Sequence, residues 1–321
     1  MLRSAAVQPL AGLLVVDLTR YLPGPFASRE LLRLGARVVR LEAPAGDPLR
    51  EIAPAWDAVL NAGKESVVCD LKANPALGLA LCSRADVVLE GFRPGVAERL
   101  GLTDLPESVV YCALTGFGPD SQQAGHDLNY LGYAGALWDT APAVPPVQVA
   151  DLAAGALAAV AEILAALLER ERTGRGRRLE VSMTHGAHRF VAHRLAGEPF
   201  PRLLTGGAAC YRIYATADGR HLTVAALEER FWRRLCELLG REDLAVRQWD
   251  ADQEDLASEL AELFAARPLA EWLERFEGED VCVGPVATLE EGAAAFGSDP
   301  PAGLAPPLGE HTAAWRRELD V

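Results

Sequence analysis

The first half of the chain alternates short apolar runs with segments of helical period. Residues 13–18 (LLVVDL) predict a strand and 26–34 (FASRELLRL) a helix. Residues 37–42 (RVVRLE) and 66–70 (SVVCD) predict two strands, and 76–83 (ALGLALCS) a helix. Two more strands are predicted at 86–90 (DVVLE) and 109–114 (VVYCAL). This alternation predicts an α/β fold, a parallel sheet covered by helices on both faces. Ligands of such sheets gather at the loops beyond the carboxyl ends of the strands. Residues 151–172 (DLAAGALAAVAEILAALLERER) carry the strongest helical signal. They are apolar nearly all round until the charged end, which predicts a buried helix capped by Asp151 and stopped at Thr173-Gly174. Residues 179–183 predict one further strand.

The pattern then changes. Residues 210–224 alternate as a hairpin around the turn Asp218-Gly219. Helices are predicted at 228–239, 256–265, 268–277 and near 289–296, with a short strand at 281–286. The expectation is a large domain over 1–190 and a smaller α+β domain over 204–297. The tail 298–321 should pack back on the large domain, extended in its proline-rich part at 300–308.

Charge and composition narrow the function. The 321 residues hold 45 Asp and Glu against 31 Lys and Arg, a net charge of −14, and half are hydrophobic. That much apolar content excludes a disordered chain. The acidic surplus argues against a nucleic-acid partner. No apolar run of about 20 residues lacks polar interruption, so no membrane partner is expected. None of the six cysteines forms a CxxC pair, which suits reduced, buried thiols in the cytoplasm. The start, MLRSAAVQPLAGLLVVDL, reads as a strand ending in Asp17 rather than as a signal peptide. Only two lysines are present, Lys64 and Lys72, which makes the position of each notable.

Several residues can carry chemistry. Gly125-His126-Asp127 follows the loop TGFGPDSQQ. The glycine would let the backbone approach a ligand, and Asp127 can begin a helix whose free N–H groups stabilise an anion. The plain alternative is a capping aspartate beside a surface histidine. Asp151 is either a helix cap or a carboxylate in an apolar cleft, where desolvation raises its proton affinity. His126 and Asp151 lie 25 residues apart, so both can occupy neighbouring loops of one cleft. Two such groups facing each other suit proton removal on one face and delivery on the other. Lys72, Arg93 and Arg99 follow predicted strands and are either solvated charges or a pocket for phosphates. Leu22-Pro23-Gly24-Pro25 joins the first strand to the first helix, as a turn or a phosphate contact. No zinc spacing, Walker loop or GxGxxG fingerprint is present, so no metal is expected. His185, His188 and His193 should lie solvated on a helix. Ser182 and Cys210 lack a nucleophile-elbow context.

Ordered motifs along nearly the whole chain now show a resemblance. They are LPGPFAS, LGARVVRLEAP-x-GDPLR, NAGKESVVCDLK, ADVVLEGFRPGVAERLGL, LTGFG, AGHDLNY and DLAAG–LAALLERERTGRGRRLEVSM, then LLTGGAACYRIYATADGR, AALEERFW, VCVGPVATLEE and LGEHT. The sequence resembles the class III (CaiB/BaiF) CoA-transferase superfamily, and within it the α-methylacyl-CoA racemase branch. The resemblance implies a large nucleotide-binding-like domain, a small domain and an interlocked homodimer. It implies a 2-methylacyl-CoA substrate, with CoA as part of the substrate and no separate cofactor. His126 and Asp151 would be the two acid/base groups, with Asp127 and Glu228 as supporting carboxylates. Glu228 would reach the cleft from the partner subunit, or, read plainly, it is an ordinary first-turn helix glutamate. CoA contacts would come from Cys69, Asp70, Leu71 and Lys72, from Arg93 and Arg99, and from Gly125, Leu128, Asn129 and Tyr130.

The chain departs from the family pattern in places. Ala43 stands where an arginine is usual, the run after Asp151 is Leu-Ala-Ala-Gly, and the loop between His126 and Asp151 is short. The segment 184–203 is also short, and only two methionines are present, which argues against a long steroid-like acyl chain. Three readings follow: a racemase using His126 and Asp151, a CoA-transferase with Asp151 as nucleophile, and a non-catalytic CoA-binding member.

Overall fold

The computed structural model describes residues 8–297 and 304–321. Residues 1–7 of the N-terminal stretch expected not to be a signal peptide, and residues 298–303 of the tail expected to pack back, lie outside the described residues. The described chain divides into two compact units, one comprising residues up to 192 together with the C-terminal tail, the other beginning at His193.

The large unit alternates strands and helices. In order they are β1 (Leu14–Asp17), α1 (Pro23–Arg33), β2 (Arg37–Glu42), α2 (Leu49–Ile52), α3 (Pro54–Asn61) and β3 (Glu65–Val68). Next come α4 (Ala76–Arg84), β4 (Val87–Glu90), α5 (Val96–Arg99), β5 (Val110–Thr115) and α6 (Asp127–Tyr133). A π-helical segment, Ala150–Leu157, runs directly into α7 (Ala158–Thr173), followed by β6 (Arg178–Ser182) and α8 (Met183–Val191). All six strands are parallel, in the order β3-β2-β1-β4-β5-β6. The strand order therefore reverses between β1 and β4, the place where open α/β sheets open a crevice at their carboxyl edge.

Val15 and Val16 of β1 and Val87, Val88 and Leu89 of β4 are almost wholly buried. Central parallel strands covered on both faces need such continuous apolar runs. One core packs α1, α7, α8 and the π-helical segment on the sheet through Leu31, Ile163, Ala154 and Ala187. The other packs α4 and the C-terminal helix through Leu77, Leu81 and Trp315. The helix Ala150–Thr173 is long and apolar enough to cross a membrane by composition, contrary to the expectation from apolar run length. Ala150, Ala154, Ala156, Ala159 and Ile163 on its inner side are fully buried in the large unit's core.

The tail does return to the large unit, and it ends in a helix that periodicity did not predict, α13 (Thr312–Leu319). It covers the open edge of β3. Gly309 N–H donates to Ser66 Oγ (2.9 Å), Val68 N–H to Thr312 Oγ1 (3.0 Å) and Trp315 Nε1–H to Glu65 Oε2 (2.7 Å). An uncovered edge strand would invite pairing with another chain, and these bonds remove that liability.

The small unit has β7 (Tyr211–Ala215), β8 (His221–Ala225), α9 (Glu229–Leu239), α10 (Gln253–Ala265), α11 (Leu269–Phe276), β9 (Val283–Pro285) and α12 (Leu289–Phe296). Its three strands form an antiparallel sheet, β7-β8-β9. Its core gathers Trp232, Leu235, Phe264 and Trp272.

Candidate active site

The β5–α6 connection is fixed by aromatic packing. Phe117 meets the rings of Tyr130 and Tyr133 edge-on, at centroid distances of 5.1 and 5.2 Å. A Cβ on Gly125 would lie 2.9 Å from both Phe117 and Tyr130. The missing side chain of this glycine leaves the room that those rings occupy. Tyr130 is buried and its hydroxyl donates to Gly125 O at 2.5 Å. Asn129 turns back, its Oδ1 accepting His126 N–H at 3.1 Å. Tyr130 and Asn129 thus brace the turn and are already engaged within it, while Leu128 is partly exposed. His126 is left exposed at the N-cap position of α6, immediately before Asp127.

Asp151 is not the helix cap that the sequence suggested. The helical segment begins one residue earlier, at Ala150, with Val149 in the cap position and no side-chain cap. The Asp151 N–H donates instead to Asp127 Oδ1 at 2.9 Å. This single bond joins α6 to the π-helical segment and brings Asp127, the neighbour of His126, against Asp151. The π-helical start, a wider turn often found at functional sites, holds the Asp151 carboxyl half-buried. Burial, and then the negative charge of Asp127, push that carboxyl up from the ordinary aspartate range to about 7. The same surroundings push the Tyr130 phenol up to about 12, through burial first and the charges of Asp151 and Asp127 next. A carboxyl near 7 holds or releases a proton with little cost at neutral pH.

The proposed CoA residues all follow the carboxyl ends of strands in the large unit. Cys69, Asp70, Leu71 and Lys72 follow β3, and Arg93 and Arg99 follow β4. Asp70 Oδ1 accepts the N–H groups of Lys72 and Ala73, each at 3.0 Å, which folds the loop into a tight turn. Cys69 is buried, and burial pushes its thiol up. Lys72, Arg93 and Arg99 are exposed, and none is ion-paired among the described residues. β3 lies at the far edge of the sheet, so the Lys72 loop stands two strands away from the β1/β4 crevice.

Other expectations are corrected or refined. Leu22-Pro23-Gly24-Pro25 is not a separate loop, because α1 already starts at Pro23. Gly24 is required there: an added Cβ would fall 1.9 Å from Thr19 Oγ1. Glu228 belongs to the small unit, exposed at the N-cap of α9 rather than inside its first turn. His185 and His188 do lie on α8, but both rings are engaged, with Ser182 Oγ at 2.8 Å and Ala134 O at 3.0 Å respectively. Sequence reading missed Phe117 as a support of the histidine turn. It also missed the Asp127–Asp151 bond, for which residues 24 apart carry no local signal.

The parallel sheet reverses its strand order between β1 and β4, the arrangement of open α/β sheets that bind ligands at their carboxyl edge. The model for CoA-transferase family III matches residues 10–296, and the chain belongs to that family. Mouse (Mus musculus) alpha-methylacyl-CoA racemase is 36% identical over 308 residues, covering 88% of this chain and 78% of that protein. Acetyl-CoA:oxalate CoA-transferase of Acetobacter aceti is 31% identical, covering 89% and 82%. The crystal structure of Rv3272 from Mycobacterium tuberculosis superposes with a TM-score of 0.80 at 30% identity, covering 96% of this chain and 99% of that one.

Proposed function

We propose that the chain racemises or epimerises 2-methylacyl-CoA thioesters by 1,1-proton transfer. His126 and Asp151 are the two acid/base groups. One of them takes the α-proton, the C–H electron pair moves into the thioester to give an enolate, and the other returns a proton to the opposite face. The Asp127 N–H at the start of α6 is a donor for the developing oxyanion. Asp127 acts as a supporting carboxylate, and Glu228 as a second one that the other subunit of a homodimer supplies. The phosphates are held by Lys72, Arg93 and Arg99, and CoA enters only as part of the substrate. The observation that carries this reading is the Asp151 carboxyl at about 7, tied through Asp127 to the histidine turn. Identity to the mouse racemase supports it.

CoA transfer is the second reading, supported by the similarity to the oxalate CoA-transferase. It requires Asp151 as an ionised nucleophile and gives His126 no chemical role. The test is incubation of one enantiomer of 2-methylacyl-CoA in D₂O. Loss of optical purity with deuterium at the α-carbon is the expected result. An Asp151 thioester trapped by hydroxylamine, without α-exchange, would move the assignment to CoA transfer. CoA binding with neither activity would leave a non-catalytic member.

A homodimer is part of the same proposal. Tyr133, Trp138, Val144 and Val147, between α6 and the π-helical segment, are large apolar side chains exposed in the single chain, Trp138 by 87%. Several exposed large apolar side chains along one connection suit a protein partner. Sedimentation equilibrium is expected to give two chains per particle, and a monomer at all concentrations would remove the dimer.

A further inference from the structure

The edge of β3 is closed by a strap, residues 306–312, that leads into α13. Its contacts copy the exchange of bonds between paired strands, with one replacement. His311 N–H donates to Ser66 O at 2.9 Å, as a neighbouring strand would. The return bond runs from Ser66 N–H to Nδ1 of the half-buried His311 ring, at 3.2 Å. A ring nitrogen therefore stands where a strand would offer a carbonyl oxygen. A carbonyl accepts at every pH, whereas an imidazole accepts only while neutral. An imidazolium has no acceptor at either nitrogen, so the point holds whichever way the ring is turned.

The charged groups around this junction are paired with one another. Glu65, beside Ser66 on β3, favours a protonated ring, but Arg37 of β2 forks it at 2.6 and 3.0 Å. Burial works to raise the Glu65 carboxyl, and its bonds to Arg37 and Trp315 outweigh that and hold it below the usual glutamate range. Glu65 thus stays ionised through the range in which a histidine titrates. Glu42 of β2 accepts the Ser66 hydroxyl at 2.7 Å and is forked by Arg50 of α2 at 2.8 Å on both oxygens. Arg40 Nε lies 3.4 Å from Glu42, and Arg40 Nη2 lies 3.1 Å from Asp47 and 2.7 Å from Asp57. On α13, Glu318 pairs with Arg37 and with Arg84 of α4, at 3.5 and 3.2 Å, while Arg316 and, before the helix, Glu310 are exposed. Histidine is the side chain that ordinarily changes charge between about pH 5 and 8.

We propose that His311 is a pH-sensitive latch on the β3 edge: the strap closes on Ser66 while the ring is neutral and opens there when the ring takes a proton. The open strap binds that proton without losing a bond, and the closed one does not. Closure is therefore fully present above the histidine range and falls as pH drops through it. The bonds from Gly309 N–H to Ser66 Oγ, from Arg50 Nη1 to Pro306 O (3.0 Å) and from Trp315 to Glu65 do not use the ring, so the opening is local. It uncovers part of a strand edge that can pair with another chain. This inference is independent of the acyl-CoA reading.

The test is hydrogen–deuterium exchange of the full chain at about pH 5 and pH 8, the range of histidine titration, corrected for the intrinsic pH dependence of exchange. Peptides covering 65–70 and 306–314 of wild type are expected to exchange about tenfold faster at the lower pH, the size of one lost hydrogen bond. Peptides from β5 should not change, which separates local opening from acid unfolding. His311→Asn, whose Oδ1 can accept Ser66 N–H and does not titrate, should lose the pH dependence. His311→Ala should exchange at the faster rate at both pH values. If His311→Ala does not fold, as judged by circular dichroism, wild type against His311→Asn decides. Equal wild-type protection at both pH values, an equal change in β5, or a pH dependence that persists in His311→Asn overturns the assignment.

Discussion

Asp151→Asn is expected to lower α-proton exchange by roughly 10²–10⁴-fold, the range set by loss of one general acid/base group. The substitution keeps the side chain's shape and leaves the Asp151 N–H bond to Asp127 intact, because that bond uses the backbone. What it removes is a group able to hold a proton. Retention of exchange within about tenfold of wild type would eliminate Asp151 as an acid/base group. The environment of Asp151 makes a companion prediction about pH. Its carboxyl sits at about 7 through burial first and the Asp127 charge second. In the direction where Asp151 acts as base, the rate falls as pH drops through about 7, because the required carboxylate becomes protonated. Asp127→Asn keeps an oxygen to accept Asp151 N–H but deletes the negative charge. The acid limb of the pH–rate profile should then move to lower pH. An unmoved limb would show that burial alone sets the Asp151 proton affinity.

The second large effect concerns Lys64. Its ammonium is completely enclosed and donates to Pro25 O (2.8 Å), Ser28 Oγ (2.7 Å) and Asn61 Oδ1 (2.8 Å). Asp17 Oδ2 lies 3.7 Å away, in a side chain with no exposure. Asp17 also accepts Thr19 N–H at 2.9 Å and the hydroxyls of Thr19 and Ser28. Lys64→Met fills similar volume but leaves the Asp17 charge without its cation and three acceptors without this donor. Breaking one side of a buried pair costs about 3–5 kcal/mol, and that loss is expected in urea denaturation.

An opposing effect must be weighed. Burial lowers the Lys64 proton affinity from 10.5 to about 8, so carrying the charge itself strains the folded state. The unfolded chain binds the proton more tightly between these values. Wild-type stability relative to Lys64→Met should therefore rise with pH from about 8 to 10.5. Adding Asp17→Asn to Lys64→Met should recover part of the loss, since the unpaired charge is then gone. A single variant within about 1 kcal/mol of wild type would mean that the Asp17–Lys64 pair contributes nothing net.

The apolar runs specified most of the large sheet. The strand predicted at 37–42 is β2 to the residue, and those at 86–90 and 109–114 match β4 and β5 within one residue. Central parallel strands are covered on both faces, so burial demands an unbroken Val- and Leu-rich run that a reader of sequence can see. Short helices escaped for the opposite reason. α2 and α5 have four residues each, too few for a helical period to register. α13 escaped because its buried anchor is one residue, Trp315, which is apolar on the page and decisive only against β3.

For the site, the sequence by itself supplied the residue types: a histidine after a glycine-rich loop, an aspartate at the head of an apolar helix, a few cations after strands. It also carried the family motifs. The tertiary structure decided which of these groups meet. It replaced the expected Asp151 cap with a π-helical start and placed the Asp127 carboxylate on the Asp151 amide. It turned Gly125, Asn129 and Tyr130 into supports of the histidine turn, and it sank Lys64 and Arg40 among carboxylates. These outcomes depend on desolvation and on which groups the fold brings together, among them Asp127 with Asp151 and Ser28 with Lys64, 24 and 36 positions apart. Proton affinity and pairing at such a range are properties of the folded interior, which no local pattern of side chains encodes.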